Sequence, residues 1–504
     1  MTEVLKIVQN PTLTYSQKVV ALARLAESKD DTSLPRAKAY IEAIDKGFIC
    51  DLNEGRVPYR PRYIIPDYRI LMEKGSNTLG IEPPQDLWEA CAALQVMYHH
   101  VPSITTFPVF LGNLDELLER FVVAMDEKEA KKCLRLFLSH IDKTLTDSFV
   151  HCDIGPKAST TGRLLMELSA EMQFAIPNIT LKYDLDVTPD DFAELAVKTM
   201  LVVAKPSFAN HQMFVKEWGE DYVIASCYNG LLAGGGGFTL HRLKLGTIAT
   251  EATDVEGFFA HQLPDTIDLL LNAMEDRVRF IVEESRFFET NFLALEGFVQ
   301  QERFTGMFGL VGLAECVNNL LKIEDPKKGF GWNTEADDLG IRVLEAIKTQ
   351  VGAFQSKYCA AVDHHFRLHA QVGIETDGMD NSPGARIPIG AEPLLHEQLN
   401  QSARYQKYFE TGVGDIFKFD QTWNESPMAL LDIIRGAMKN DYRYFSGYNA
   451  DNDVIRVTGY LVKRSEMEKL DHQSTSLNHA TVFGQGARDG AKALDRRVHD
   501  QKSR

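Results

Sequence analysis

Apolar positions recur at helical spacing from the start of the chain. Thr14-x-x-Gln17 has the form of a capping box and precedes Val19, Val20, Leu22 and Leu25, which predicts a helix. Asp126 would cap another, with Cys133, Leu134, Phe137, Leu138 and Ile141 on one face and Cys133 in the core. Between them, Pro58 to Tyr68 reads as an ordered loop whose aromatics need a packing surface. Residues 1–150 are therefore expected to be mainly helical and to pack on the α/β region C-terminal to them.

The pattern changes after residue 150. Asn178 to Tyr183 alternates polar and apolar residues like a strand. Thr188-Pro189-Asp190-Asp191 opens a helix from Phe192 to about Ala204, with Thr188 as cap, and Pro206 stops it. Asp221 to Cys227 then reads as a buried strand with Cys227 at its C-terminal end. Strand, helix and strand in that order predict an α/β sheet or barrel, in which strand C-termini build active sites. Pro264 to about Ser285 is predicted helical. So is Thr305 to Leu321, which carries Leu310, Leu313, Val317 and Leu320, and so is Ser426-Pro427 to about Asn440. A turn-rich stretch from Gly447 to Asp453 leads into a β-like run, Val454 to Val462. The division expected is residues 1–150, 151–440 and 441–504, the last ending in a solvated tail from Arg488.

Charge narrows the classes. The 504 residues carry 54 Lys plus Arg against 71 Asp plus Glu, a net charge of −17, which disfavours nucleic acid and anionic membranes as partners. No apolar run approaches bilayer length, and the first residues lack a signal-peptide pattern, so a cytoplasmic protein is expected. The seven cysteines are odd in number and none are two or three apart, which argues against a disulfide framework or a Cys-x-x-Cys site.

Candidate chemistry is sparse. Ala233-Gly234-Gly235-Gly236-Gly237 is followed by no Lys-Ser/Thr and contains no Gly-x-Gly-x-x-Gly, so it reads as a flexible loop or hairpin. Among the histidines His99, His100, His211, His364, His365 and His369, only His365 and His369 could share a helical face, and no third ligand is spaced for a metal, so none is expected. The Gly-x-Ser-x-Gly elbow of a serine hydrolase is missing. Glu375 to Arg386 is a polar loop that could line a site. Gly459 interrupts a β-like run. It reads as a bulge or, chemically, as the one residue type whose α-carbon can flatten into a radical without a side-chain clash.

Arg456-Val457-Thr458-Gly459-Tyr460 resembles the signature Arg-Val-x-Gly-Tyr of the glycyl radical enzymes, in the expected C-terminal position. Asp221 to Cys227 is similar to the strand that carries the thiyl cysteine in that family. Asn178 to Leu181, Phe304 to Leu321 and the loop Asp377 to Pro393 also resemble its segments, and the wording around Asn381-Ser382-Pro383-Gly384-Ala385-Arg386 is similar to the YjjI subfamily. The resemblance implies a ten-stranded α/β barrel of two antiparallel half-barrels, with a helical N-terminal region and a C-terminal glycyl radical segment. It implies a radical stored at Gly459 by a separate radical S-adenosylmethionine activating enzyme, a thiyl at Cys227, a small-molecule substrate and a homodimer. Asn229, Tyr228, Glu375, Asp377, Arg386 and Glu315 become candidates for binding or acid/base work.

Three departures restrict the reaction. Ser226 stands where pyruvate formate-lyase has a second cysteine, which disfavours acyl transfer. Cys227-Tyr228-Asn229 lacks the glutamate of the Cys-x-Glu motif found in the dehydratases and choline lyase. No cysteine follows Cys359, so the four-cysteine zinc site of anaerobic ribonucleotide reductase is missing. The reading expected is a lyase or eliminase acting on a small polar metabolite by C–C or C–heteroatom cleavage. The alternatives are a divergent nucleotide or nucleoside reductase and a non-catalytic barrel scaffold.

Overall fold

The computed structural model describes residues 2–29, 36–52, 54–103, 107–370, 381–457 and 459–477. Both N-terminal helix predictions hold. Thr14 and Gln17 form the reciprocal capping box of Tyr15–Glu27, and Asp126 caps Glu127–Thr144, with Cys133 buried on its inner face. The stretch Pro58 to Tyr68 is more than a loop. Its residues Tyr63–Ile65 form a strand that enters a sheet.

Two five-stranded mixed sheets hold most of the strands. In the first, Gly235–Lys244, Phe304–Val311 and Arg367–Ala370 run parallel. Ile49–Cys50 and Tyr63–Ile65 pair antiparallel with Gly235–Lys244. In the second, His151–Ile154, Asn178–Tyr183 and Ser207–Asn210 run parallel, as do Asp415–Phe419 and Tyr444–Asn449. The two groups meet antiparallel where Tyr444–Asn449 pairs with Ser207–Asn210. Loop bonds link the two sheets: Ala370 N–H donates to Gly412 O (3.0 Å) and Thr411 N–H to Leu368 O (3.2 Å). The result is an α/β fold with its strands buried and helices packed around them.

Two expectations change here. The glycine run is no flexible loop, because Gly235, Gly236 and Gly237 lie in a central strand. A Cβ on Gly235 would sit 2.1 Å from Arg303 O, and one on Gly236 2.1 Å from Tyr63 O, so close strand packing demands glycine. Thr305 to Leu321 is a strand, Phe304–Val311, followed by a helix, Leu313–Leu320. Complete burial makes the strand apolar on both faces, which hides its period. The helix after Pro189 spans Asp190–Val203, while the Thr188 hydroxyl accepts from Asp184 N–H and donates to Pro156 O. Pro427–Lys439 forms as expected.

The N-terminal region is pinned by a buried carboxylate. Glu54 accepts from Leu240 N–H (2.9 Å) and Thr239 Oγ1 (2.5 Å), and it pairs with Arg62 and Arg277 at 3.0 Å each. Burial alone would raise its pKa, but Arg277, His241 and Arg62 together hold it below the usual carboxylate range.

Candidate functional site

Cys227 sits at the tip of a hairpin. Tyr222–Ala225 pairs antiparallel with Asn229–Leu232, apart from the large sheets, so the cysteine does not end a parallel strand. The turn requires Ser226 in the left-handed region at φ 62°, a cost a non-glycine residue meets only when its surroundings enforce it. They do. Ser226 N–H donates to Val109 O (2.9 Å), and Ser226 O accepts from His151 Nδ1 (2.8 Å). The thiol is buried among Ala209, Phe214, Tyr222, Ile224, Tyr228 and Tyr444. Burial pushes its pKa up to about 11, against the opposing pull of the Tyr228 N–H, Ser226 and the Arg456 charge. Cys227 is therefore a neutral thiol at physiological pH.

Gly459 also lies at a hairpin tip. Val454–Arg456 pairs with Leu461–Lys463, so the β-like run folds back on itself with buried Gly459 in the turn. Arg456 fastens this turn. Its Nη1 donates to Gly459 O (3.3 Å) and its Nη2 to Asn178 Oδ1 (3.1 Å) and Ala204 O (2.9 Å), while Asn178 Nδ2 donates to Gly459 O (3.4 Å). The Tyr460 ring meets Phe149 edge-on at 5.8 Å.

The two hairpins converge on the inner polar face of His151–Ile154 and Asn178–Tyr183. Asn178 holds the glycine turn. Two residues on, Thr180 Oγ1 bonds His151 Nε2 (2.7 Å) and the Tyr444 hydroxyl (2.8 Å), which donates to Cys227 O (3.0 Å). Arg456, in contact with Gly459 O, lies near enough for its charge to act on the Cys227 thiol.

The other sequence candidates divide. Asn229 is beside the thiol, with Cys227 Sγ donating to its Oδ1 at 3.8 Å, and its buried Nδ2 makes no hydrogen bond. Tyr228 packs against His369 and Tyr444, but its hydroxyl donates to Ala370 O (2.6 Å), so only its ring is offered to the interior. Arg386 is buried and ion-paired with Asp415 at 2.9 Å. Glu315 accepts from Ser382 Oγ (2.6 Å) and so ties the start of the Leu313–Leu320 helix to the loop at 382. Glu375 and Asp377 lie outside the described residues. His369 lies on a strand, Arg367–Ala370, and shares no helical face with His365. Among the described residues no three His, Cys, Asp or Glu side chains are grouped to hold a metal ion, and no helix is long and apolar enough to cross a membrane.

Sequence reasoning missed His151, Asp153, Asn178, Thr180, Lys182 and Tyr444. A signal existed. His151-x-Asp153 and Asn178-x-Thr180-x-Lys182 place polar residues at every second position of strands buried on both faces. That is the mark of an inward polar face.

A family model described as "Glycyl radical enzyme YjjI-like" matches residues 13–499. An uncharacterized protein of Haemophilus influenzae is 42% identical over 100% of this chain and 98% of its own length. Escherichia coli YjjI is 36% identical over 99% of this chain and 97% of its own. Among solved structures, the anaerobic ribonucleotide reductase of Thermotoga maritima with dATP and CTP superposes with a TM-score of 0.68 at 14% identity, covering 94% of each chain. Hydroxyproline dehydratase of Clostridioides difficile gives 0.69 at 9% identity, covering 97% of this chain and 88% of that one. The family match over nearly the whole sequence and the fold shared with these enzymes place the chain in the YjjI-like family of glycyl radical enzymes.

Proposed function

We propose that Gly459 stores an organic radical that generates a thiyl at Cys227, which then abstracts hydrogen from a small polar metabolite. The observation that carries this reading is the interlocking of two sequence-distant hairpins through Arg456, Asn178, Thr180 and Tyr444. In the first step the Gly459 α-carbon gains a C–H bond as the Cys227 S–H bond breaks homolytically. The thiyl then takes hydrogen from a substrate carbon and returns one after rearrangement. Hydrogen-atom transfer needs S–H rather than thiolate, and burial of Cys227 keeps that form. On this reading the two mixed sheets curve round a common interior, as in the barrel the resemblance implies, and that interior excludes solvent from the radical. A separate radical S-adenosylmethionine enzyme would install the radical in the cytoplasm, acting on a homodimer.

Elimination or bond cleavage is the reaction class we favour. Asn229 would orient a substrate acceptor through its unpartnered Nδ2. Nucleotide reduction is the second reading. It is supported by the fold shared with the Thermotoga enzyme and opposed by the lack of any cysteine after Cys359. Two variants test the scheme under anaerobic activation. Gly459→Ala should give no radical, since a methyl group crowds the planar α-carbon. Cys227→Ser should give the full glycyl signal but no turnover, because a serine O–H bond is too strong for a glycyl radical to break. Activity retained by Cys227→Ser would overturn the thiyl assignment.

A further inference from the structure

Two carbonyls flank the thiol, Ser226 O and Cys227 O, and one hydrogen-bond chain joins them. It runs Ser226 O, His151 Nδ1, His151 Nε2, Thr180 Oγ1, Tyr444 hydroxyl, Cys227 O, with separations of 2.8, 2.7, 2.8 and 3.0 Å. Both ends are acceptors only. Four bonds between them need four protons. A neutral imidazole, a threonine and a tyrosine supply three. At rest one link is a close contact between two lone pairs, which burial makes costly. A fourth proton completes every bond.

A holder for that proton lies alongside. Asp153 Oδ1 is buried, makes no hydrogen bond, and stands 3.9 Å from His151 Nε2. The other oxygen of Asp153 accepts from Ile224 N–H (2.7 Å) and faces Lys182 Nζ at 3.8 Å. Lys182 and Asp115 in turn line an open cleft of about 820 Å³. The groups of the site thus extend to solvent.

We propose that His151, Thr180 and Tyr444 form the proton-accepting element of this site, with Asp153 as its exchange partner and Lys182 and Asp115 as its outlet. This rests on the radical elimination proposed above, for which the Cys-x-Glu base is missing. When hydrogen is abstracted from a hydroxyl-bearing carbon, that hydroxyl becomes strongly acidic. Its O–H bond breaks, and the proton enters the chain through the hydroxyls and forms an N–H bond at His151. The neighbouring C–X bond breaks with its electron pair leaving on X, and the unpaired electron moves to that carbon. The proton then passes to Asp153.

The surrounding charges make Asp153 the resting place of the proton and the ring its transient carrier. Burial, with Arg456 and Lys205 nearby, pushes the His151 ring down to about 3, against the pull of Ser226 O. Burial also raises Asp153 to about 7, with Asp115 adding to the rise and Lys182 opposing it.

The test uses unactivated full-length protein and water protons alone. Infrared spectra follow the Asp153 carboxyl and 15N spectra follow the His151 ring, with Asp153→Asn and His151→Gln for assignment. The wild type should take up one proton on this pair with a midpoint near pH 7. Tyr444→Phe ends the chain at Thr180 and leaves two bonds, Ser226 O to His151 and His151 to Thr180, with two protons to fill them, so the ring gains nothing from a further proton and the share of the pair's proton found on His151 should fall at least tenfold. An Asp153 ionised throughout pH 5 to 9 would overturn the proposal, as would a share of the proton on His151 unchanged in Tyr444→Phe. No radical is needed, so failure here leaves the Gly459 reading standing, and failure of activation leaves the proton pair standing.

Discussion

Burial fixes the protonation state of Cys227. Its thiol is raised to about 11, so at pH 9 only about one molecule in a hundred carries thiolate. Hydrogen-atom exchange between Gly459 and the thiol should therefore be flat from pH 6 to 9, measured as the rate at which the glycyl α-hydrogen is replaced in D₂O. A decline centred near pH 8 would show an ordinary exposed thiol instead. Arg456 offers a second test. Its planar fork reaches Gly459 O, Asn178 Oδ1 and Ala204 O together, and an ammonium cannot span the three. Arg456→Lys should lower the radical yield at least tenfold by spin counting, with a stability loss of about 1–3 kcal/mol in denaturant unfolding from the acceptors left unsatisfied. Gly459 and Cys227 were legible because each lies in a distinctive local wording. Tyr444 was not, since a lone polar side chain in a buried strand says nothing about what lies opposite it until the sheet is assembled, whereas Thr180 belonged to an alternating polar pattern that marked an inward face.

At the scale of elements, the site is two hairpin tips held by strand edges. Gly412 shows how tightly. It sits at φ 132°, and a Cβ there would lie 2.2 Å from Tyr228 O, the backbone just after the thiol. Gly412→Ala should cost about 2–4 kcal/mol and impair turnover more than radical formation, because the displaced segment is the cysteine hairpin. Equal loss of both would place the damage elsewhere. Helices with local start signals, the capping box of Tyr15–Glu27 and the first-position proline of Pro427–Lys439, could be read from the sequence. Phe304–Val311 could not, because a strand buried on both faces has no period to read. The hairpin around Cys227 was also hidden. A single serine is a weak turn signal, and the left-handed turn at Ser226 is held by its long-range backbone bonds to Val109 and His151.

The whole molecule joins an N-terminal helical region to the sheets through Glu54. Glu54→Gln leaves Arg62 and Arg277 buried without their counter-charge and should destabilise the protein by about 3–5 kcal/mol in denaturant unfolding, with no change in the position of the glycyl signal. A radical on the Gly459 α-carbon also predicts what air does. An α-carbon radical adds dioxygen and the backbone breaks there, so activated protein should release a fragment of about 504 − 459 = 45 residues, while unactivated protein stays whole. The most direct measurement is electron paramagnetic resonance of protein activated anaerobically, prepared with ordinary glycine in H₂O or with 2,2-dideuterioglycine and activated in D₂O, so that exchange through the thiol cannot return hydrogen to the α-carbon. A radical on Gly459 predicts a doublet split by the single α-hydrogen, its collapse to a narrow line with the deuterated residue, and no signal in Gly459→Ala. A doublet that survives deuteration, or a signal that persists in Gly459→Ala, would contradict the account.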